Sequence, residues 1–116
     1  MEEKQCVFCS VIRKEINAKI VYEDDKVIAF DDVNPQAPVH VLIIPKEHFE
    51  SINEFPEEKK EILGYMVFIS KKIVEIKGIS KKGYRLVLNT GREAGQSIFH
   101  IHLHVLGGRY MRWPPG

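Results

Sequence analysis

The 116-residue chain lacks the marks of several large protein classes. It has no apolar run of about 18 residues and no charged leader followed by an apolar segment, so we expect neither a membrane span nor a signal peptide. Its formal net charge of +1 is not the excess of positive charge that binds nucleic acid or a membrane surface, and we expect neither partner. It has two cysteines and no sign of secretion, so we expect a reducing, cytoplasmic location. Without repeats or low-complexity segments, residues 1–116 are expected to form one domain.

Alternating and β-branched apolar segments predict an antiparallel sheet of about five strands. Residues 20–33 predict a hairpin around an acidic turn, residues 39–45 a central strand, and residues 83–89 and 97–107 two further strands. A helical segment lies between the strand-rich halves of the chain. This order predicts an α+β domain.

Two segments have helical periodicity. Residues 6–16 predict a short helix, and residues 56–78 predict a long one that begins at Pro56 and stops at Gly78. The apolar residues of the long segment step by four and three, which predicts one stripe facing the core. That stripe consists of Ile62, Met66, Ile69, Ile73 and Ile76.

Residues 100–105 place a histidine at every second position. In a strand, His100, His102 and His104 would share one face, about 6.6 Å apart along the chain. A solvated polar face is one interpretation, and a three-histidine metal site is a second, although collinear positions converge poorly on one ion. The third is nucleophilic catalysis, because a neutral imidazole attacks well near pH 7.

The loop before the histidines favours the third interpretation. Gly91 and Gly95 let backbone amides approach a bound anion, and Ser97 adds a hydroxyl donor. Phosphate is the anion that such a loop suits. The residues therefore indicate chemistry on a phosphate group.

The stretch "HIHLHVL" resembles the His-φ-His-φ-His-φ-φ signature of the histidine-triad (HIT) nucleotide-binding family. Residues 31–49, 83–91, 94–109 and 113–116 resemble its Hint branch, the nucleoside phosphoramidases, in the same order. The resemblance implies a HIT-like fold with one long and one short helix. It also implies hydrolysis of purine nucleoside 5′-phosphoramidates, of the adenosine 5′-monophosphoramidate type, through a covalent nucleotidyl-histidine that releases the nucleoside monophosphate. No metal is implied in the reaction itself.

The resemblance also implies a role for each polar residue of the site. His102 corresponds to the nucleophile, its second ring nitrogen donating to the carbonyl of His100, and His104 to the histidine that holds the phosphate oxygens. The other correspondences are Ser97 and the Gly95 amide at the phosphate and leaving group, His40 and Asn89 lining the pocket, and Asp32 binding both ribose hydroxyls. Asp32 is preferred over Asp31 for its spacing to Pro35 and His40.

The implied purine slot consists of apolar residues that could equally be plain hydrophobic core. They are Val7, Phe8, Val11, Ile16, Phe30, Val33 and Leu42. Only the resemblance favours the slot over the core.

The "CVFC" pair, Cys6 and Cys9, is half a zinc site, a redox motif without the βαβ context that such motifs need, or chance. The resemblance implies that His48 and His100 complete a structural zinc site. A set of two cysteines and two histidines with no open position is typical of structural zinc. Inert buried thiols are the alternative.

Two other functions stay open: a dinucleoside polyphosphate hydrolase of the same fold, and a non-catalytic nucleotide- or zinc-binding module. The "GGR" and "WPPG" segments favour the phosphoramidase branch. The resemblance further implies a homodimer whose sheet continues across a two-fold axis. In that dimer Trp113, on an extended tail, would lie near the partner's active site.

Overall fold

In a computed structural model that describes residues 5–116, two helices and five strands follow one another in the expected order. They are α1 (Val7–Ile12), β1 (Ile20–Glu23), β2 (Val27–Asp31), β3 (Val39–Pro45), α2 (Lys60–Ile76), β4 (Tyr84–Val87) and β5 (Leu103–Gly107). The strands form one antiparallel sheet in the order β1-β2-β3-β5-β4. The prediction of a single α+β domain is confirmed. Across residues 5–116, no helix has both the length and the apolar character of a membrane span.

The central strand β3 separates two apolar clusters, because its successive side chains point to opposite faces of the sheet. Val41 and Ile43 join a cluster on the α2 side, whereas Leu42 and Ile44 join a cluster on the α1 side. His40 shares the face of Leu42, and His104 lies opposite Leu42 on β5. The alternation therefore brings these histidines to the face that α1 covers.

The segment expected to be a strand over residues 97–107 is regular only from Leu103. His100 lies in a bend, and the Ile101 amide donates to the carbonyl of Phe49 at 2.8 Å instead of joining the sheet. The rings of His102 and His104 lie 4.9 Å apart between centroids, closer than the repeat along a strand. The triplet therefore does not form one flat row, because only His104 lies within the regular strand.

Both helices are shorter than the expected segments. The long one begins as a 3₁₀ turn, Glu57–Lys59, and Gly78 follows its end with φ of 74°. Met66, Ile69 and Ile73 are buried as expected, but Ile76 is 53% exposed and Val74 is buried instead. A repeat of 3.5 residues drifts against a helix of 3.6 residues per turn, so a strict four-three stripe leaves the core side.

Candidate active site

The candidate site lies on the α1 face of the sheet, where β2, β3 and β5 bring polar residues together. His40 lies on β3 and His104 on the neighbouring β5, while His102 directly precedes β5. Asp32 follows the end of β2, and its amide donates to the carbonyl of His40 at 2.9 Å. Backbone pairing thus brings together residues that are up to 72 positions apart in the sequence.

The ring of His102 is held in one tautomer. Its Nδ1 lies 2.8 Å from the carbonyl oxygen of His100, and a carbonyl only accepts, so Nδ1 carries the proton. Nε2 therefore keeps its lone pair. Burial lowers the pKa of His102, which is 7% exposed, so the ring stays neutral at physiological pH. A neutral imidazole with an oriented lone pair is a competent nucleophile.

A second tautomer follows from a chain of hydrogen bonds. The amide of Gln36 donates to His40 Nδ1 at 3.0 Å, so the proton of neutral His40 is on Nε2. That Nε2 donates to His104 Nδ1 at 2.9 Å, which places the proton of His104 on its own Nε2. Burial lowers the pKa of His104 to about 4 and also lowers the pKa of His40. His104 is therefore a neutral hydrogen-bond donor through Nε2.

Asp32 supplies the carboxylate of the site. One oxygen accepts from the amide of Asn34 at 2.8 Å, and the other lies 3.4 Å from His40 Nε2. The neighbouring Asp31 is committed elsewhere, since its carboxylate lies 2.8 Å from the ammonium of Lys77. A cleft of about 630 Å³ lies beside these groups. It is lined by Asn17, Ala18, Lys19, Asp31, Asp32, Val33, Pro35, Pro38, His40 and Lys77.

The glycine-rich loop before the histidines contains a 3₁₀ turn, Arg92–Ala94, flanked by Gly91 and Gly95 with φ of 87° and 93°. Both angles are in the left-handed region that favours glycine. Ser97 is exposed. Gln96 is 3% exposed and holds the loop: its Oε1 accepts from the Gly91 amide, and its Nε2 donates to the carbonyls of Glu50 and Ile98.

The seven apolar residues of the expected purine slot divide into two groups. Phe8, Val11, Phe30 and Leu42 are buried in the cluster on the α1 side of the sheet. Val7, Ile16 and Val33 are 42%, 43% and 96% exposed. The ring of Phe8 meets His102 edge-on at 5.2 Å and Phe30 at 5.5 Å, so the buried group reaches the candidate nucleophile.

Cys6, Cys9, His48 and His100 converge at the start of α1, their ligand atoms all within 4.8 Å of one another. His100 Nδ1 lies 3.5 Å from Cys6 Sγ, 3.6 Å from Cys9 Sγ and 3.1 Å from His48 Nδ1. Zinc bonds to nitrogen and sulfur in a tetrahedron separate the ligands by about 3.3–3.8 Å. Because His100 Nε2 donates to the carbonyl of Pro45 at 2.9 Å, its Nδ1 lone pair is available. The four residues therefore fit a zinc ion.

Asp32, His40 and His104 form a second convergent group in the described part of the chain. The amide of Gln36 already occupies the Nδ1 lone pair of His40, so the Nε2 that faces the other two residues carries a proton. A protonated ring nitrogen cannot ligate a metal. This group suits hydrogen bonding to an anion.

Comparisons with known proteins agree with this geometry. The family model described as "HIT domain" matches residues 13–111. This chain belongs to the HIT family. It is 47% identical over 106 residues to the purine nucleoside phosphoramidase of Escherichia coli, covering 91% of this chain and 89% of that protein. It is 46% identical over 118 residues to a 14 kDa zinc-binding protein of Zea mays, covering 100% and 91%. The crystal structure of a HIT family hydrolase from Legionella pneumophila matches with a TM-score of 0.93 at 47% identity, covering 97% and 100%.

Two further residues expected at the site lie outside the strands that carry its histidines. Asn89 is half-buried just beyond β4, and Trp113 is 82% exposed on the tail.

Sequence reasoning missed the groups that set the ring tautomers, which are the amide of Gln36 and the carbonyl of Pro45. Every residue carries a backbone carbonyl and every residue except proline carries an amide N–H, so no sequence signal marks these groups. It also missed Gln96, which lies in the loop between Gly91 and Ser97 but whose buried contacts only the fold reveals.

Proposed function

We propose that this HIT protein hydrolyses purine nucleoside 5′-phosphoramidates, with His102 as the nucleophile. The observation that carries the proposal is the pair of opposed tautomers on neighbouring rings. His102 has its proton on Nδ1 and its lone pair on Nε2, whereas His104 has its proton on Nε2. One ring is set to attack phosphorus, and the other is set to donate to a phosphate oxygen.

The reaction proceeds by two displacements on phosphorus. In the first, His102 Nε2 forms a bond to the phosphorus, the bond to the substrate nitrogen breaks, and the amine leaves after gaining a proton from water. In the second, water attacks the phosphorus and gives up a proton to the solvent, the bond to His102 breaks, and the nucleoside monophosphate leaves. His104 donates to a phosphate oxygen in both steps, and the exposed Ser97 hydroxyl contacts the phosphate and the leaving group. The Gly95 amide now donates to the carbonyl of Arg92 at 3.0 Å, so it would have to release that bond to join the phosphate contacts.

Asp32 is proposed to bind the ribose. A carboxylate oxygen accepts more than one hydrogen bond, so the oxygen that takes the Asn34 amide can still accept from a hydroxyl. The base is proposed to lie against the apolar cluster of the α1 side, next to Phe8 and Phe30. His40 and Asn89 line the pocket around the phosphate.

Cys6, Cys9, His48 and His100 are proposed to hold a structural zinc ion. The ion would fix the six-residue helix α1 to the loop after β3 and would take no part in the displacement. Burial lowers the pKa of His100 to about 4, so the ring is neutral, as a ligand must be. The two thiols suit a reducing compartment, and we place the protein in the cytoplasm.

A homodimer is proposed from the unpartnered surfaces of the fold. The helix α2 exposes Val67, Phe68 and Ile76 by 50%, 61% and 53%. The short strand β4 ends the sheet, so its outer edge is available for pairing. Joining two subunits there would continue the sheet and bring Trp113 of one tail toward the other subunit's site.

The test compares the turnover of adenosine 5′-monophosphoramidate with the turnover of a diadenosine polyphosphate. We expect the phosphoramidate to be the better substrate. His102→Ala should abolish turnover but still bind adenosine monophosphate, because the ribose and base contacts stay. His104→Gln should be slowed while still forming the nucleotidyl-protein adduct, detected by mass spectrometry at alkaline pH. Unchanged turnover by His102→Ala would refute the mechanism.

A further inference from the structure

The C-terminal tail, residues 108–116, follows β5. At its start it contacts the loop of residues 32–38, which carries Asp32. Gly107 is the last residue of β5 and pairs with Val39 at the start of β3. Gly108 then has φ of 91°, and a Cβ placed there would lie 2.9 Å from the Cβ of Pro38. A larger residue would be strained here and would also collide with the loop. The glycine pair therefore brings the tail into contact with the loop.

Arg109 uses this contact to bind the loop backbone. Its Nε and Nη2 both donate to the carbonyl oxygen of Gln36, at 3.2 and 3.0 Å, and its Nη1 donates to the carbonyl of Tyr110 at 3.0 Å. A charged donor with two nitrogens on one oxygen makes a directional bond. Gln36 is the residue whose amide donates to His40 Nδ1 at 3.0 Å.

The other polar contacts of Gln36 leave this amide dependent on the tail. Its side chain donates to the carbonyl of Asn34 at 3.0 Å, and the Asn34 amide donates to Asp32 at 2.8 Å. Both bonds lie within the loop and do not tie Gln36 to the rest of the protein. Within residues 5–116, the guanidinium of Arg109 is the polar group from outside the loop that binds Gln36 itself.

Loss of the Gln36 amide from His40 would let the tautomers of two rings reverse in part of the molecules, while the Asp32 carboxylate, 3.4 Å from His40 Nε2, still favours the present form. His40 Nδ1 would then take the proton, and His40 Nε2 would present a lone pair to His104 Nδ1. His104 Nδ1 would have to donate in return, which moves the proton away from its Nε2. An acceptor would then face the phosphate oxygens in place of a donor.

We propose that Arg109 is a positioning residue that keeps His104 a hydrogen-bond donor, acting through the backbone of Gln36 and the ring of His40. The effect on turnover rests on the proposed function. The effect on the ring tautomers does not, because it concerns the protein without substrate.

The experiment measures the ring ¹⁵N resonances of His40 and His104 in the wild-type protein and in Arg109→Gln. We expect the Nε2–H form of both rings in the wild type and a mixture with the Nδ1–H form in the variant. Arg109→Lys keeps one charged donor and should restore most of the wild-type pattern. The matched control is Arg85→Gln, because Arg85 donates to a carbonyl on the same tail, that of Arg112, at 3.0 Å.

Kinetics with adenosine 5′-monophosphoramidate supply the second measurement. Arg109→Gln should lower kcat on the order of tenfold, the scale of one hydrogen bond to a charged group, with a smaller change in KM. Arg85→Gln should leave both tautomers unchanged. Light scattering on each variant confirms that the same oligomeric state is compared.

Wild-type tautomers in Arg109→Gln would overturn the proposal, whatever the kinetics show. Equal tautomer changes in Arg109→Gln and Arg85→Gln would also overturn it, because a general loosening of the tail would then be the cause. A wild-type protein that turns over no phosphoramidate contradicts the proposed function, and the resonances still decide the role of Arg109.

Discussion

Replacing Asp32 by Asn tests the ribose contact while keeping the loop intact. The amide oxygen of Asn can still accept from the backbone of Asn34, which now donates to Asp32 at 2.8 Å. What disappears is the negative charge and one oxygen able to accept a ribose hydroxyl. A hydrogen bond to a charged group contributes about 1.5–3 kcal/mol, so affinity for adenosine monophosphate should fall about 10- to 150-fold.

The matched control is Asp31→Asn, the same change one residue earlier. Asp31 lies 2.8 Å from the ammonium of Lys77, and both side chains are about a third exposed or less, at 31% and 27%. An ion pair of that kind contributes at most about 1 kcal/mol. Asp31→Asn should therefore change nucleotide affinity less than about fivefold.

Isothermal titration calorimetry with adenosine monophosphate and its 2′,3′-dideoxy analogue separates the ribose contact from other effects. In the wild-type protein the dideoxy ligand should bind more weakly by the same 10- to 150-fold, about 1.5–3 kcal/mol. Asp32→Asn should bind both ligands about equally, since the hydroxyls then have no charged acceptor. The reasoning is refuted if the wild-type protein binds both ligands equally, or if Asp31→Asn removes the difference between them.

Three further predictions follow from the metal cluster, the buried histidines and the exposed face of α2. Protein purified without chelator should contain about one zinc ion per chain, and Cys6→Ser should lose it; metal-free protein of unchanged stability would identify the thiols as packing residues. Thermal stability should fall as the pH drops from 6.5 towards 4, because burial lowers the pKa of folded His104 from 6.5 to about 4 and the unfolded chain binds protons first; His104→Gln should show a shallower decline, and equal slopes would contradict this assignment. Phe68→Glu should convert the dimer to monomers in light scattering while Lys60→Glu should not, and a wild-type monomer at micromolar concentration would refute the dimer.

Much of the fold could be predicted because local patterns agree with it. The β-branched run of β3 and the four-three stripe of α2 have one stable arrangement each, a buried strand and a helix packed on it. The errors lie at the ends of elements. No local pattern indicates that the Ile101 amide bonds to the carbonyl of Phe49 and not to a neighbouring strand. The sequence therefore predicts a strand from residue 97, six residues before β5 begins.

The sequence by itself determined which chemistry is available: alternating histidines, paired cysteines and a carboxylate after a strand, in an order that resembles the HIT family. Only the tertiary structure decided what each ring does. The lone pair of His102 and the proton of His104 are set by backbone groups of His100 and Gln36, two and 68 positions away in the sequence. Such groups are alike in every residue, and they act through direction and distance, which exist only once the sheet has formed.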